Sequence, residues 1–240
     1  MSRPAISKLE RQQQLMTDRR HETYWHRVRF ELVGRLLDSV GSRSVVDFGA
    51  GSGLLGEWLQ EHRPALDYHF TESSAMLAKH LVERFGPDAK ATVDDPWPQR
   101  SSVVMLDVLE HIEFPVAALQ AIRSNMGQAD VLVITVPALR WGFSSWDFEL
   151  GHFRRYSKRS LRQELAAAGF VVEHTAYLFP ELLPLLVVRK LRSSPRQDVD
   201  FPELPPVIAS VGYRIAAITT ALRSVWVAGT SVVAVARNPA

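Results

Sequence analysis

The chain is predicted to be one α/β domain with parallel strands at the centre of its sheet, and three stretches predict it. Ser44 to Leu59 reads as strand, glycine turn and helix: Val45 and Val46 are β-branched, Gly49, Gly51 and Gly53 alternate, and Leu54, Leu55, Trp58 and Leu59 have helical spacing. Ser102-Val103-Val104-Met105-Leu106 is a continuous apolar run, the pattern of a strand buried on both faces. Ala129 to Pro137 is a second such strand, and Ala117 to Met126 between the two reads as a helix. The 240 residues, 46% apolar and 22% charged, suffice for one domain of this kind with a full core.

The glycine stretch organises the rest. Glycine permits positive φ and has no Cβ to hold a ligand away. A strand–glycine turn–helix therefore brings bare N–H groups and a helix N-terminus against a nucleotide-like ligand. Two ligands compete. Gly51-Ser52-Gly53-Leu54-Leu55-Gly56 fits the dinucleotide pattern G-x-G-x-x-G, which would make the chain an NAD-dependent oxidoreductase. Asp47, two residues before the first glycine, argues against it. A carboxylate there sits poorly with a pyrophosphate and well with a cationic amine. A tight turn with no ligand is the third reading.

Composition excludes several classes. The net charge is +2 and the basic residues form no dense run, so no nucleic-acid partner is expected. The absence of Cys rules out a disulfide framework, thiolate zinc and cysteine catalysis, and agrees with a cytoplasmic location. Met1 to Arg20 is polar and lacks the apolar core of a signal peptide. No apolar run reaches the ~18 residues of a membrane span. Residues 1–22 read as a polar arm and 23–240 as the domain.

In chain order, the stretch from Tyr24 has apolar residues at Trp25, Val28, Leu32 and Leu36 on one face, an amphipathic helix ending near Ser39-Val40-Gly41. Leu66 to Glu72 alternates as a second strand. Glu72 stands 21 residues after Gly51, a spacing that suits a carboxylate accepting two ribose hydroxyls. Ser73-Ser74 offers an N-cap for the next helix. Ala91 to Asp95 reads as the third strand, and Trp97 as either a base-stacking ring or a core plug. A helix runs from Lys158 to Ala168, and Val171 to Tyr177 is strand-like. Residues 178–228 form an apolar, proline-broken insertion with helical spacing from Val207 to Val225. Gly229 to Ala236 is the last strand.

Two segments carry candidate chemistry. Asp107-Val108-Leu109-Glu110-His111 follows the central strand, where open α/β sheets bind ligands. In a helical turn Asp107, Glu110 and His111 would share a face and could hold a hard cation such as Mg²⁺. Without a metal, His111 or His152 would take a proton and Glu110 would orient the imidazole. The plainest alternative is that His111 only caps a helix. Trp141 to Tyr156 is aromatic-rich and non-periodic, as functional loops often are. Trp146, His152, Arg155 and Tyr156 are its candidate substrate contacts.

Asp47-x-Gly49-x-Gly51-x-Gly53 together with Asp-Val-Leu-Glu-His resembles class I S-adenosylmethionine (SAM)-dependent methyltransferases over roughly Tyr24 to Ala236. Gly-His-x-Arg-Arg-Tyr (151–156) further resembles their quinone-pathway branch, in which ubiquinone O-methyltransferases carry Glu-x-x-Glu-His. The resemblance implies a Rossmann-like, mostly parallel seven-stranded sheet with helices on both faces and an antiparallel C-terminal hairpin. It implies SAM as cofactor, held by Asp47, Gly49, Ala50, Gly51, Gly53, Glu72, Asp94 and Asp107. An arginine of the Arg27-x-Arg29 pair, assigned to Arg27, would reach the SAM carboxylate beneath an aromatic lid. Relatives place the ribose acid at the position of Thr71, one residue before Glu72. Two strand-end features depart further: Ser101-Ser102 replaces an Asp, and no Asn-Pro-Pro-Tyr-type tetrad follows the fourth strand, which disfavours planar amide acceptors. The implied reaction is methyl transfer to an oxygen or carbon of a small molecule. A lipid or prenyl acceptor at a membrane surface is the alternative, and a SAM-fold binding protein without activity is another. Residues 178–228 are open to acceptor, homodimer or peripheral membrane contact.

Overall fold

Five strands run one way and a sixth runs against them, in the order β2-β1-β3-β4-β6-β5. The computed structural model describes residues 23–92, 97–98, 101–128, 130–191 and 204–239. β1 (Ser44–Phe48) pairs in parallel with β2 (Asp67–Thr71) and β3 (Ser101–Leu106), and β3 with β4 (Val131–Pro137). β6 (Ser231–Arg237) inserts antiparallel between β4 and β5 (Val171–Leu178).

Side chains alternate across the sheet, as the two-residue period demands. Val45, Val104 and Val133 face one apolar layer, with Val28, Leu32 and Val33 of α1 (Tyr24–Val40) and Leu55 and Leu59 of α2 (Leu54–His62). Leu81 of α3 (Ala75–Phe85) joins them. Val46, Val103, Leu132 and Ile134 face the other, with Leu119 and Ile122 of α4 (Pro115–Asn125) and Leu161 and Leu165 of α6 (Lys158–Ala167). Between α4 and α6 lies the short α5 (Ser145–Glu149). Helices thus cover both faces, as expected. The segment between β5 and β6 forms α7 (Leu183–Leu191) and α8 (Pro206–Ala221), and α8 packs on α1 with Gly212 against the Tyr24 ring.

Among the described residues the sheet has six strands, and most of the stretch expected to form a seventh, residues 93–95 of Ala91 to Asp95, lies outside them. Of Ala91 to Asp95, Ala91 and Thr92 are not in a strand, and Asp94 lies outside the described residues, as do residues 1–22. A parallel bridge joins Phe70 of β2 to Lys90, just before that stretch. Trp97 is buried in the second core layer near the Phe48 ring, the plug rather than the base-stacking alternative.

Candidate active site

The carboxyl ends of β1, β2 and β3 open into a cleft of about 660 Å³, floored by the glycine turn and roofed by α1. Gly49, Gly51 and Gly53 all have positive φ, 75°, 58° and 81°. At Gly49 a Cβ would meet Val108 at 2.9 Å, so only glycine fits. The turn is anchored on the end of β2: Gly49 and Ala50 N–H donate to the Thr71 carbonyl, each at 3.0 Å. Gly51 N–H donates to Glu72 at 2.8 Å, and so does Ser74 N–H at the start of α3. Two backbone donors thus aim the Glu72 carboxylate along the cleft wall, while Thr71 contributes its carbonyl to the turn.

Asp47 is 3% exposed and lines the same cleft. Its partner is the Tyr68 hydroxyl at 3.0 Å, which lies close enough because Gly56 has no side chain to displace the ring. Burial pushes the Asp47 carboxyl up to about 7, against the lowering hydrogen bond and with help from Glu72. A buried acid without a cation is a site prepared for one.

Of the two arginines on α1, Arg29 enters the cleft and Arg27 does not, so the placement expected for Arg27 is corrected. The Arg27 side chain is 57% exposed, pairs with Glu31 and crosses the Tyr213 ring. The Arg29 side chain is 7% exposed and pairs with Asp107. The two positions lie about 200° apart around a helix, and only one can face inward. Trp25, His26 and Phe30 share the roof, with burial holding the His26 ring down to about 4.

The third wall is built from distant pieces. Asp107 adopts φ +55° and turns toward Arg29 instead of opening a helical turn. The expected face of Asp107, Glu110 and His111 is therefore not formed. Glu110 and His111 sit on a 3₁₀ turn, Leu109–His111, and face His152. Phe153 N–H donates to the Glu110 carbonyl at 2.8 Å and fixes this meeting. The two imidazoles stand edge to face, centroids 4.6 Å apart. His152 Nδ1 lies 2.9 Å from Asp147 Oδ1, and Arg155 Nε donates to the same oxygen at 2.7 Å. Burial alone would raise Asp147, but His152 and Arg155 hold its carboxyl down at about 2. Glu110 is fully buried and, among the described residues, neither of its oxygens has a hydrogen-bond partner; burial with Asp107 nearby raises its pKa well above the usual range, opposed by Arg29 and Arg155. Burial and His152 lower His111 to about 4.

Sequence reasoning missed Asp147. Its only local signal is the Ser144-x-x-Asp147 cap that starts α5. Of the aromatic segment's candidates, His152 lines the cleft, with Leu150 beside it. Tyr156 is buried, and its N–H closes a bridge to Pro137. Arg155 braces Asp147 and the Ala138 carbonyl, and Trp146 is not among the lining residues.

A family model described as a methyltransferase domain matches residues 19–175. No curated protein matches in sequence. Among solved structures, the chain is similar to a chain of the complex between the Haloferax volcanii Trm112 methyltransferase activator and a methyltransferase, with TM-score 0.61, 15% identity and full coverage of both chains. It is also similar to a sarcosine dimethylglycine methyltransferase of Galdieria sulphuraria, with TM-score 0.56, 14% identity, and 88% and 85% coverage. A third likeness, to phosphoethanolamine N-methyltransferase 2 of Haemonchus contortus with SAM, has TM-score 0.52 and 12% identity and spans 83% of this chain but 49% of that one. At these identities the likenesses show the fold. The family match covers more than half of the chain: it belongs to the methyltransferase-domain family and is a SAM-dependent methyltransferase.

Proposed function

We propose, from membership of that family, that the chain methylates an oxygen, or an acidic carbon, of a small-molecule acceptor. The observation that carries this is the buried Asp147–His152–His111 array opening into the same cleft as the glycine turn. The cleft fits SAM on its own terms. Among the described residues no cation acts on Asp47 and Arg29 Nε is buried without a partner, and the three glycines of the turn present no Cβ. When bound, SAM supplies a methyl group on a positively charged sulfur. Asp47 would hold its amino group, Arg29 its carboxylate and Glu72 its ribose hydroxyls.

The rest is the work of the chain's own residues. Asp147 fixes His152 with Nδ1 toward the carboxylate, so that Nε2 is the ring nitrogen left for chemistry. His152 Nε2 takes the acceptor's proton as its oxygen becomes nucleophilic, and ionised Asp147 stabilises the imidazolium that results. Methyl-labelled SAM offered with a panel of phenols, enols and carboxylic acids tests this. Label in the small-molecule fraction supports the reading; label entering only protein or nucleic acid sinks it.

A second reading is favoured by the outer surface of α7 and α8. Leu185, Leu191, Val207, Ile208 and Ile218 are each more than half exposed. Among the described residues, no helix is long and apolar enough to cross a membrane. Such a face suits peripheral contact with a bilayer carrying a lipid acceptor. Flotation with anionic liposomes supports it, whereas a dimer by light scattering that ignores liposomes assigns the face to self-association.

A further inference from the structure

We infer that His26 is a second donor to the SAM carboxylate, its Nε2–H working beside Arg29 on the roof of the cleft. The tautomer follows from the start of α1. Thr23 N–H donates to His26 Nδ1 at 3.4 Å, and the Thr23 hydroxyl lies 3.0 Å from the same nitrogen. A backbone amide can only donate, so Nδ1 is the acceptor and the single proton of the neutral ring sits on Nε2. The ring is neutral near pH 7, because burial and the Arg29 charge hold its pKa down to about 4 against the opposing pull of Asp107. Its plane is set by Phe30, which stacks on it with centroids 6.1 Å apart and planes 11° apart. Trp25 flanks it at 5.8 Å. His26 lines the cleft. With Nδ1 engaged at the helix cap, Nε2 on the far side of the ring is the nitrogen left for a ligand.

Two free donors therefore share one helix face. His26 and Arg29 are three residues apart, which puts them about 60° apart around α1. Among the described residues His26 Nε2 has no hydrogen-bond partner, and Arg29 Nε is buried without one. Asp107 could compete for both and takes neither: one of its oxygens receives Arg29 Nη1, and the other, Oδ1, is buried and unpartnered. A carboxylate has two oxygens and can accept one of these donors on each. The Arg29 charge is already offset by Asp107, so an arriving carboxylate meets an ion pair of no net charge and gains from every hydrogen bond it can make. The neutral imidazole supplies one without adding another buried charge. His111 and His152, on the third wall, remain for the acceptor. The assignment rests on the methyltransferase reading of the cleft.

His26→Asn separates the donor from the cap: the Asn carbonyl can replace Nδ1 as the acceptor for Thr23, and nothing replaces the Nε2 donor. Calorimetry on the full chain with SAM and with decarboxylated SAM reads the effect. SAM should bind His26→Asn roughly tenfold or more weakly, as expected for loss of a hydrogen bond to a charged group. The decarboxylated analogue lacks the oxygens and should bind both proteins equally. Thr23→Val is the structural control. It strips the cap hydroxyl and keeps the ring, so it should lower the melting temperature and leave SAM affinity within about twofold. Nitrogen-15 spectra of the unaltered protein should show the His26 ring neutral and protonated at Nε2 between about pH 5.5 and 8. Unchanged SAM affinity in His26→Asn overturns the inference, makes the ring a helix cap alone and leaves the methyltransferase standing. Equal weakening of SAM and its analogue also overturns it, because the ring would then act through packing. So does a ring protonated at Nδ1. Unaltered protein that binds neither ligand sinks the methyltransferase reading and this inference with it.

Discussion

The two halves of the cleft are built by opposite means. The cofactor half is assembled from short contiguous runs, 47–53 and 71–74, and its contacts are mostly backbone N–H groups whose positions follow from the turn itself. The acceptor half brings Glu110 to His152 across 42 positions of sequence and works through buried side chains, several without partners. A backbone cradle is fixed by local conformation and tolerates little change. A side-chain array is fixed by packing between loops, so its members can be altered with the fold intact. The first half should therefore fail in binding, and the second in rate.

The largest expected effect falls on the acceptor half. His152→Ala should lower turnover by about 10²–10⁴, the usual contribution of a positioned base, while leaving the SAM dissociation constant within a factor of two or three. Asp147→Asn should lose a smaller part of the same factor, since the ring stays but its anchoring charge goes. Rapid-quench measurement of label transfer alongside calorimetry separates the two quantities. Loss of SAM affinity in His152→Ala would erase the distinction between the halves.

Next comes the cradle. Gly51→Val places a β-branched residue at φ +58°, costing about 1–3 kcal/mol, and puts its side chain where the cofactor must lie. SAM binding should weaken by a hundredfold or more. Retained affinity would show that the turn does not contact the cofactor. On the roof, Arg29→Met should raise the SAM dissociation constant roughly tenfold through loss of a charge-assisted bond, and Arg27→Met by less than twofold. Equal effects would mean that α1 is only a cover.

The same contrast explains what could be read from the sequence. Asp47 and the glycines are legible because their chemistry depends on consecutive residues. Glu72 is legible because one βα unit sets its spacing. The choice between Arg27 and Arg29 is not local: it depends on which face of α1 the sheet buries, and the aromatic pair beside them marks both sides. Asp107 misled because the pattern was read as a helical turn, and a positive φ at the strand end turned its carboxylate to Arg29. Asp147 carried no signal of its own because its partners His152 and Arg155 become meaningful only once the loop folds back on Ala138 and Glu110.

The sharpest test of the cradle's electrostatics is in pH. Burial raises the Asp47 carboxyl to about 7, whereas in the unfolded chain it titrates at about 3.9. Between these values the folded state keeps a proton that the unfolded state has released, so stability falls as pH rises from about 4 to about 7. The full difference corresponds to roughly 4 kcal/mol. A bound cation reverses the preference by favouring the ionised acid. SAM affinity should therefore increase with pH up to about 7 and level off above it, by no more than about tenfold per pH unit for a single proton. Asp47→Asn should flatten both curves, raising stability at pH 8 while weakening SAM binding there. Denaturant melts and calorimetry at pH 5.5, 6.5 and 7.5 measure the two together. An affinity that is flat across this range in the unaltered protein, with stability still falling, would mean that Asp47 titrates as described but does not face the cofactor's charge. The SAM amino group would then have to be held by some other residue of the cleft.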